Sequence, residues 1–127
     1  MIKPLVFVYG SLRRGGSAHA RLRPAGQCLG QASVAGYLYD LGPYPAARPA
    51  RCPRERVHGE LYRLTRPAAF AVLDRYEGCA PPAGMAPEYR RELARVTQAG
   101  RRRLAWVYWY ARPLRGARRV PGGVWRP

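Results

Sequence analysis

The sequence predicts an α+β domain, a mixed, curled sheet or barrel of about five to six strands with helices packed on its outside. Three observations carry that expectation. Short β-branched and aromatic runs recur along the chain, each stopped by Gly or Pro. One segment is bracketed for a helix, with Pro67 near its start and Gly78 just past its end. The run 104–110 is apolar on both alternating faces: Leu104, Trp106, Tyr108 and Tyr110 on one, Ala105, Val107 and Trp109 on the other. Such a strand needs cover on both sides, from a barrel or sheet core on one and a helix or partner on the other.

Taken in order, residues 5–9 form a short buried strand that Gly10 stops. Ser11 is placed to cap a helix over roughly 12–22, ended by Pro24. Residues 34–41 read as a second strand, closed by Gly42-Pro43 and followed by a Pro-rich loop through Pro53. Residues 57–64 are a third strand, and the helix from Pro67 to Gly78 follows. Residues 79–87 contain three prolines and read as a loop. Residues 89–97 and 104–112 pair as a hairpin across Ala99-Gly100-Arg101. The tail 120–127 is Pro/Gly-rich, and Trp125 is expected to dock it on the body. There are no internal repeats, and residues 1–127 read as one domain.

With 47% hydrophobic residues, the chain is globular and not a disordered basic tail. No apolar run approaches the roughly 20 residues of a membrane span. The N-terminal run lacks a small-residue cleavage site before Arg13-Arg14, so no signal peptide is expected and the expected compartment is the cytoplasm. Cys28, Cys52 and Cys79 are widely spaced and form no CxxC pair, which suggests neither a disulfide framework nor a zinc site. His19 and His58 stand apart with no HxxxH pattern, so nothing in the sequence argues for a metal site. The net charge of +16 comes with a single lysine, Lys3, among 23 basic residues. The arginines are dispersed, which predicts weak, sequence-independent attraction to polyanions. Arg101 to Arg103 precede Trp106, Tyr108, Trp109 and Tyr110, a combination able to stack bases. The favoured reading makes the aromatics a core strand and the arginines its solvated turn.

Seven acids are available, and Glu77 is in the most demanding place. Phe70, Leu73 and Glu77 fall at i, i+3 and i+7 on one helix face, so a carboxylate is carried towards the core. It also lies in the last turn, at the negative end of the helix dipole. Burial and dipole both disfavour the anion and raise its pKa towards neutrality, which suits proton transfer. Asp74 lies close to the same face, so spacing alone leaves it a second candidate; it is read as structural, bonding a neighbouring loop. The second feature is the strand-to-helix turn Tyr9-Gly10-Ser11-Leu12, whose glycine and free N–H groups are able to hold an anion, although such a junction taken alone is usually only a turn. Without a GxSxG elbow or a nearby His, Ser11 is a poor nucleophile.

Together these features resemble a known family. Val6-Phe7-Val8-Tyr9-Gly10-Ser11-Leu12 is similar to the opening signature of gamma-glutamylcyclotransferase-like proteins, and Gly36-Tyr37-Leu38-Tyr39-Asp40-Leu41-Gly42 with Tyr44-Pro45 to their second strand and loop. Gly59-Glu60-Leu61-Tyr62 resembles the third strand. Leu73-Asp74-Arg75-Tyr76-Glu77-Gly78 resembles the segment bearing the family's catalytic glutamate. Tyr89-Arg90-Arg91, Val107-Tyr108-Trp109-Tyr110 and the terminal Gly122-Gly123-Val124-Trp125 continue the match in order. The chain is most similar to the short bacterial branch, which also resembles gamma-glutamylamine cyclotransferases.

The resemblance implies a barrel-like α+β fold with a cavity between Tyr9-Gly10-Ser11-Leu12 and Glu77. It implies a cofactor-free enzyme, monomeric or homodimeric, acting on a small gamma-glutamyl substrate. The free α-amine would attack its own γ-carbonyl, leaving 5-oxoproline and a free amine or amino acid. Glu77 would be the acid/base, the backbone at Gly10, Ser11 and Leu12 would hold a carboxylate or oxyanion, and Tyr9, Tyr89 and Tyr108 would line the pocket. The alternatives are the same fold with altered chemistry, or a basic nucleic-acid-binding module.

Overall fold

The computed structural model describes residues 4–10, 13, 26–66, 68–79, 81 and 83–126. The strands are β1 (Leu5–Val8), β2 (Gly26–Asp40), β3 (Pro45–Pro49), β4 (Arg56–Leu64), β5 (Tyr89–Gln98), β6 (Arg101–Tyr110) and β7 (Arg118–Arg119). The helix α1 (Ala68–Tyr76) lies between β4 and β5, and a 3-10 turn covers Pro121–Gly123. The helix expected over 12–22, with Ser11, Leu12, Arg14 and His19, lies outside the described residues.

Strands β2, β4, β1, β6 and β5 pair in that order, and β5 returns to β2, closing a five-stranded barrel. All these pairs are antiparallel except β1 with β6, which run parallel with Val6 opposite Trp106 and Phe7 opposite Val107. Closure leaves the barrel strands without a free edge. The 15 residues of β2 outrun the barrel, and the far end of the strand takes β3 on one side and β7 on the other.

Sequence periodicity explains the layers. In β6, Ala105, Val107 and Trp109 point into the barrel, where they meet Phe7, Val57, Leu61 and Val96. Tyr108, with Trp106 and Tyr110 beside it, belongs to an outer cluster that α1 covers through Phe70 and Leu73. The two-faced apolarity of this strand is therefore met by barrel core on one side and helix on the other. β1 alternates likewise, with Leu5 and Phe7 inward and Val6 and Val8 outward. A helix of nine residues is too short to hold by itself in water, so its buried stripe and its termination are what fix it. Trp125 is buried in the barrel cluster, as its place in a Pro/Gly-rich tail suggested.

Three expectations are corrected. The Pro-rich loop through Pro53 contains β3, an edge strand whose two prolines sit at its ends, where missing N–H donors cost least. The second strand begins at Gly26 and not Val34. Glycines at 26, 30 and 36 depress strand propensity there, and a bulge between Cys28 and Gly30 interrupts the register. The arginines 101–103 are the first residues of β6 and not a turn. The turn is Ala99-Gly100 alone, with φ of 51° and 76°. Two positive φ angles in a two-residue hairpin loop match the twist of the flanking strands.

Candidate active site

α1 ends in a way that places Glu77. The Glu77 N–H still donates to the Leu73 carbonyl at 2.9 Å, the last helical bond. Gly78 then turns left-handed with φ 68°. Its N–H reaches the Arg75 carbonyl at 3.2 Å, and the Cys79 N–H reaches that of Asp74 at 2.9 Å. This pair of bonds is the Schellman motif, with Glu77 as the C-cap residue and Gly78 the left-handed residue after it. A β-carbon at Gly78 would lie 3.1 Å from Glu88 Cβ, so both the angle and the space favour glycine.

The Glu77 side chain enters a cavity of about 200 Å³. This is room for a small metabolite and below the span common for drug-sized ligands. One wall is the end of β1 with Tyr9 and Gly10, a second is Tyr89 and Tyr108, and Tyr44 and Pro45 complete it from the β2–β3 turn. Tyr76 and Glu88 also line it. The expected residues Glu77, Tyr9, Gly10, Tyr89 and Tyr108 thus come together around one space, while Ser11 and Leu12 lie outside the described residues. Tyr44, Pro45, Tyr76 and Glu88 were not singled out as site residues from sequence. Tyr44-Pro45 lay within a family-like segment, which was their only signal. Glu88 precedes a strand and had none.

The three expected tyrosines present rings to the cavity and commit their hydroxyls to its walls. Tyr9 donates to the Tyr108 carbonyl at 2.5 Å, Tyr89 to the Pro45 carbonyl at 2.6 Å and Tyr108 to the Asp74 carboxylate at 2.7 Å. Desolvation is the leading cause that pushes all three phenols above their ordinary range, so they stay protonated at neutral pH. Asp74 takes two further bonds from Arg91, at 2.8 and 3.1 Å. The Arg91 guanidinium stacks on Phe70 and Trp106, 4.7 and 4.4 Å from the ring centroids. Asp74 is therefore a structural acid, as expected, though its partners are two strands and not a loop.

Glu77 stands differently. Among the described residues its carboxylate accepts no hydrogen bond. The residue keeps some contact with solvent through the cavity, yet its carboxyl is crowded by protein. Burial foremost, then the Glu88 and Asp74 carboxylates, pushes it up to about 8. The Cys79 thiol nearby is also pushed up, to about 12, mainly by burial, so it carries no thiolate at neutral pH. The arrangement holds a carboxyl tuned towards neutrality in a metabolite-sized, aromatic-walled cavity between the end of β1 and the end of α1.

These features describe an α+β barrel with a helix on its side and a small acid-bearing cavity at their junction, and relatives make the family specific. The family described as gamma-glutamyl cyclotransferase, AIG2-like, matches residues 6–127, and the chain belongs to it. It is 38% identical over 124 residues to the gamma-glutamylcyclotransferase family protein YtfP of Escherichia coli K12, covering 94% of each chain. It is 31% identical over 110 residues to the gamma-L-glutamyl-butirosin B gamma-glutamyl cyclotransferase of Niallia circulans, covering 86% of this chain and 68% of that one. The solution NMR structure of Escherichia coli ytfP superposes with a TM-score of 0.66 at 37% identity, over 95% of both chains.

Proposed function

We propose that this chain is a gamma-glutamylcyclotransferase that converts a gamma-glutamyl amide to 5-oxoproline and a free amine, with Glu77 as acid/base. The observation that carries the reading is the Glu77 carboxyl, placed in the cavity and pushed up to about 8. That value matches an α-ammonium, which titrates at about 7.7–8.0. Proton transfer between matched groups runs in either direction without a large penalty.

The steps balance without water or cofactor. Glu77 takes a proton from the substrate's α-ammonium, and the freed nitrogen attacks the γ-carbonyl carbon to close a five-membered ring. Glu77 passes that proton to the amide nitrogen as the tetrahedral centre expels it. It then takes the second proton from the ring nitrogen and gives it to the departing amine. The amine leaves as an ammonium, while the ring nitrogen keeps the single N–H of 5-oxoproline. Because nucleophile and electrophile share one molecule, folding the substrate in a small cavity supplies much of the rate. The Gly10, Ser11 and Leu12 backbone is assigned to the carboxylate or developing oxyanion. At Gly10, a β-carbon would lie 3.1 Å from the Pro45 ring, another part of the cavity wall. Tyr9, Tyr89 and Tyr108 shape the space, their hydroxyls being engaged elsewhere.

Among the described residues no helix is long and apolar enough to cross a membrane, and a cytoplasmic enzyme of gamma-glutamyl metabolism fits the reading. The test is a panel of gamma-glutamyl amides and amino acids incubated with the protein, with mass-spectrometric detection of 5-oxoproline. Absence of that product across the panel would reject the reading.

A further inference from the structure

In a chain of net charge +16, the charged side chains lining the cavity among the described residues are both acids, Glu77 and Glu88. The proposed reaction uses one of them. Glu88 is pinned beside the other: its N–H donates to the Gly78 carbonyl at 3.0 Å, and its carbonyl accepts from the Ala111 N–H at 2.8 Å. Its side chain remains 26% exposed. Oε2 accepts the Tyr44 hydroxyl at 2.7 Å and faces the Arg112 guanidinium at 3.9 Å. Arg112 does not line the cavity, and among the described residues Oε1 accepts no hydrogen bond. Tyr44 and Tyr76, each 38% exposed, offer rings to the same cavity. A carboxylate with a spare oxygen, flanked by aromatic rings and next to a second acid, has the chemistry of an ammonium site.

We propose that Glu88 is a specificity-determining residue that receives a second positive charge on the departing amine. The preferred substrates are then gamma-glutamyl amides whose amine half carries an ammonium group, as a diamine or a lysine-like arm does. The inference rests on the gamma-glutamyl reading of the site. A neutral arm leaves Oε1 of Glu88 without a donor, whereas an ammonium supplies one and sets a positive charge against the carboxylate.

The test compares gamma-glutamyl-hexylamide with gamma-glutamyl-(5-aminopentyl)amide, whose arms have the same number of heavy atoms and differ in the terminal ammonium. Turnover is followed as 5-oxoproline and binding by calorimetry. Wild-type kcat/KM should favour the ammonium-bearing amide about tenfold, the size expected for one hydrogen bond to a charged group. The preference should shrink as salt is raised. Glu88→Gln, which keeps an acceptor for Tyr44, should bring the ratio near one. Arg112→Ala, which removes a competing cation at a distance from the cavity, should widen it. Equal kcat/KM for the two amides in wild type, or an equal loss on both in Glu88→Gln, would overturn the proposal. If neither amide is cyclised yet calorimetry shows a preference that Glu88→Gln erases, the ammonium site stands and the cyclisation reading falls. If binding shows no preference either, both fall.

Discussion

Replacing Glu77 by Gln separates its chemical role from its structural cost, because the change keeps shape and removes ionisation. A free glutamate titrates at about 4.3, and Glu77 is pushed up to about 8. The folded chain thus holds this proton more tightly than the unfolded chain does. Stability from this group is full below about pH 4.3, falls as pH rises towards about 8, and is level beyond that. At about 1.36 kcal/mol for each pH unit between the two values, the whole loss is at most about 5 kcal/mol. Water reaching the carboxyl through the cavity reduces it, and about 2–3 kcal/mol is expected. Glu77→Gln should therefore match wild type at about pH 4 and exceed it by about 2–3 kcal/mol at about pH 9, roughly 10 °C in Tm. Urea or thermal unfolding at several pH values checks this. The same variant should lose roughly 10²–10⁴-fold in turnover. Wild-type kcat/KM should rise with pH through a limb centred near 8 that the variant lacks. Wild-type turnover in Glu77→Gln, or an unchanged pH dependence of stability, would refute the reasoning.

Asp74→Asn removes the charge that pairs with Arg91 and should cost about 1–3 kcal/mol in unfolding experiments. It also takes away one cause that raises Glu77, so the rate limb should move to lower pH while turnover survives. Gly78→Ala forces a left-handed angle on alanine and drives its β-carbon against Glu88; Tm should drop by several degrees, the mark of about 1–2 kcal/mol. Gly10→Val should abolish substrate binding in calorimetry, since its branches must move Pro45 or fill the cavity. Polyanion binding should be weak and fall steeply with salt, because Arg48, Arg56, Arg91 and Arg119 are already held by internal partners. Tight binding to one nucleic-acid sequence at physiological salt would contradict it.

What the sequence determined by itself was local. The stripe Phe70, Leu73, Glu77 and the stop at Gly78 place an acid on the covered face of a helix end, because helical period and left-handed glycine act within a few residues. The two-sided apolarity of 104–110 demanded a layer on each face, and Trp125 its burial, since transfer from water depends on side-chain type alone. What only the tertiary structure decided was pairing at a distance. β3 exists because residues 45–49 meet the far end of β2; nothing in two prolines, two alanines and an arginine advertises a strand. Barrel closure follows from β5 meeting β2 at Val34 and Val96, a contact between segments some sixty residues apart that no local period encodes. The second acid in the cavity has the same origin. Glu88 reaches Tyr44 across 44 positions and stands beside Glu77 through the Gly78 carbonyl. Its charge was legible in the sequence, but its neighbours are set by hydrogen bonds that form only once the chain has closed.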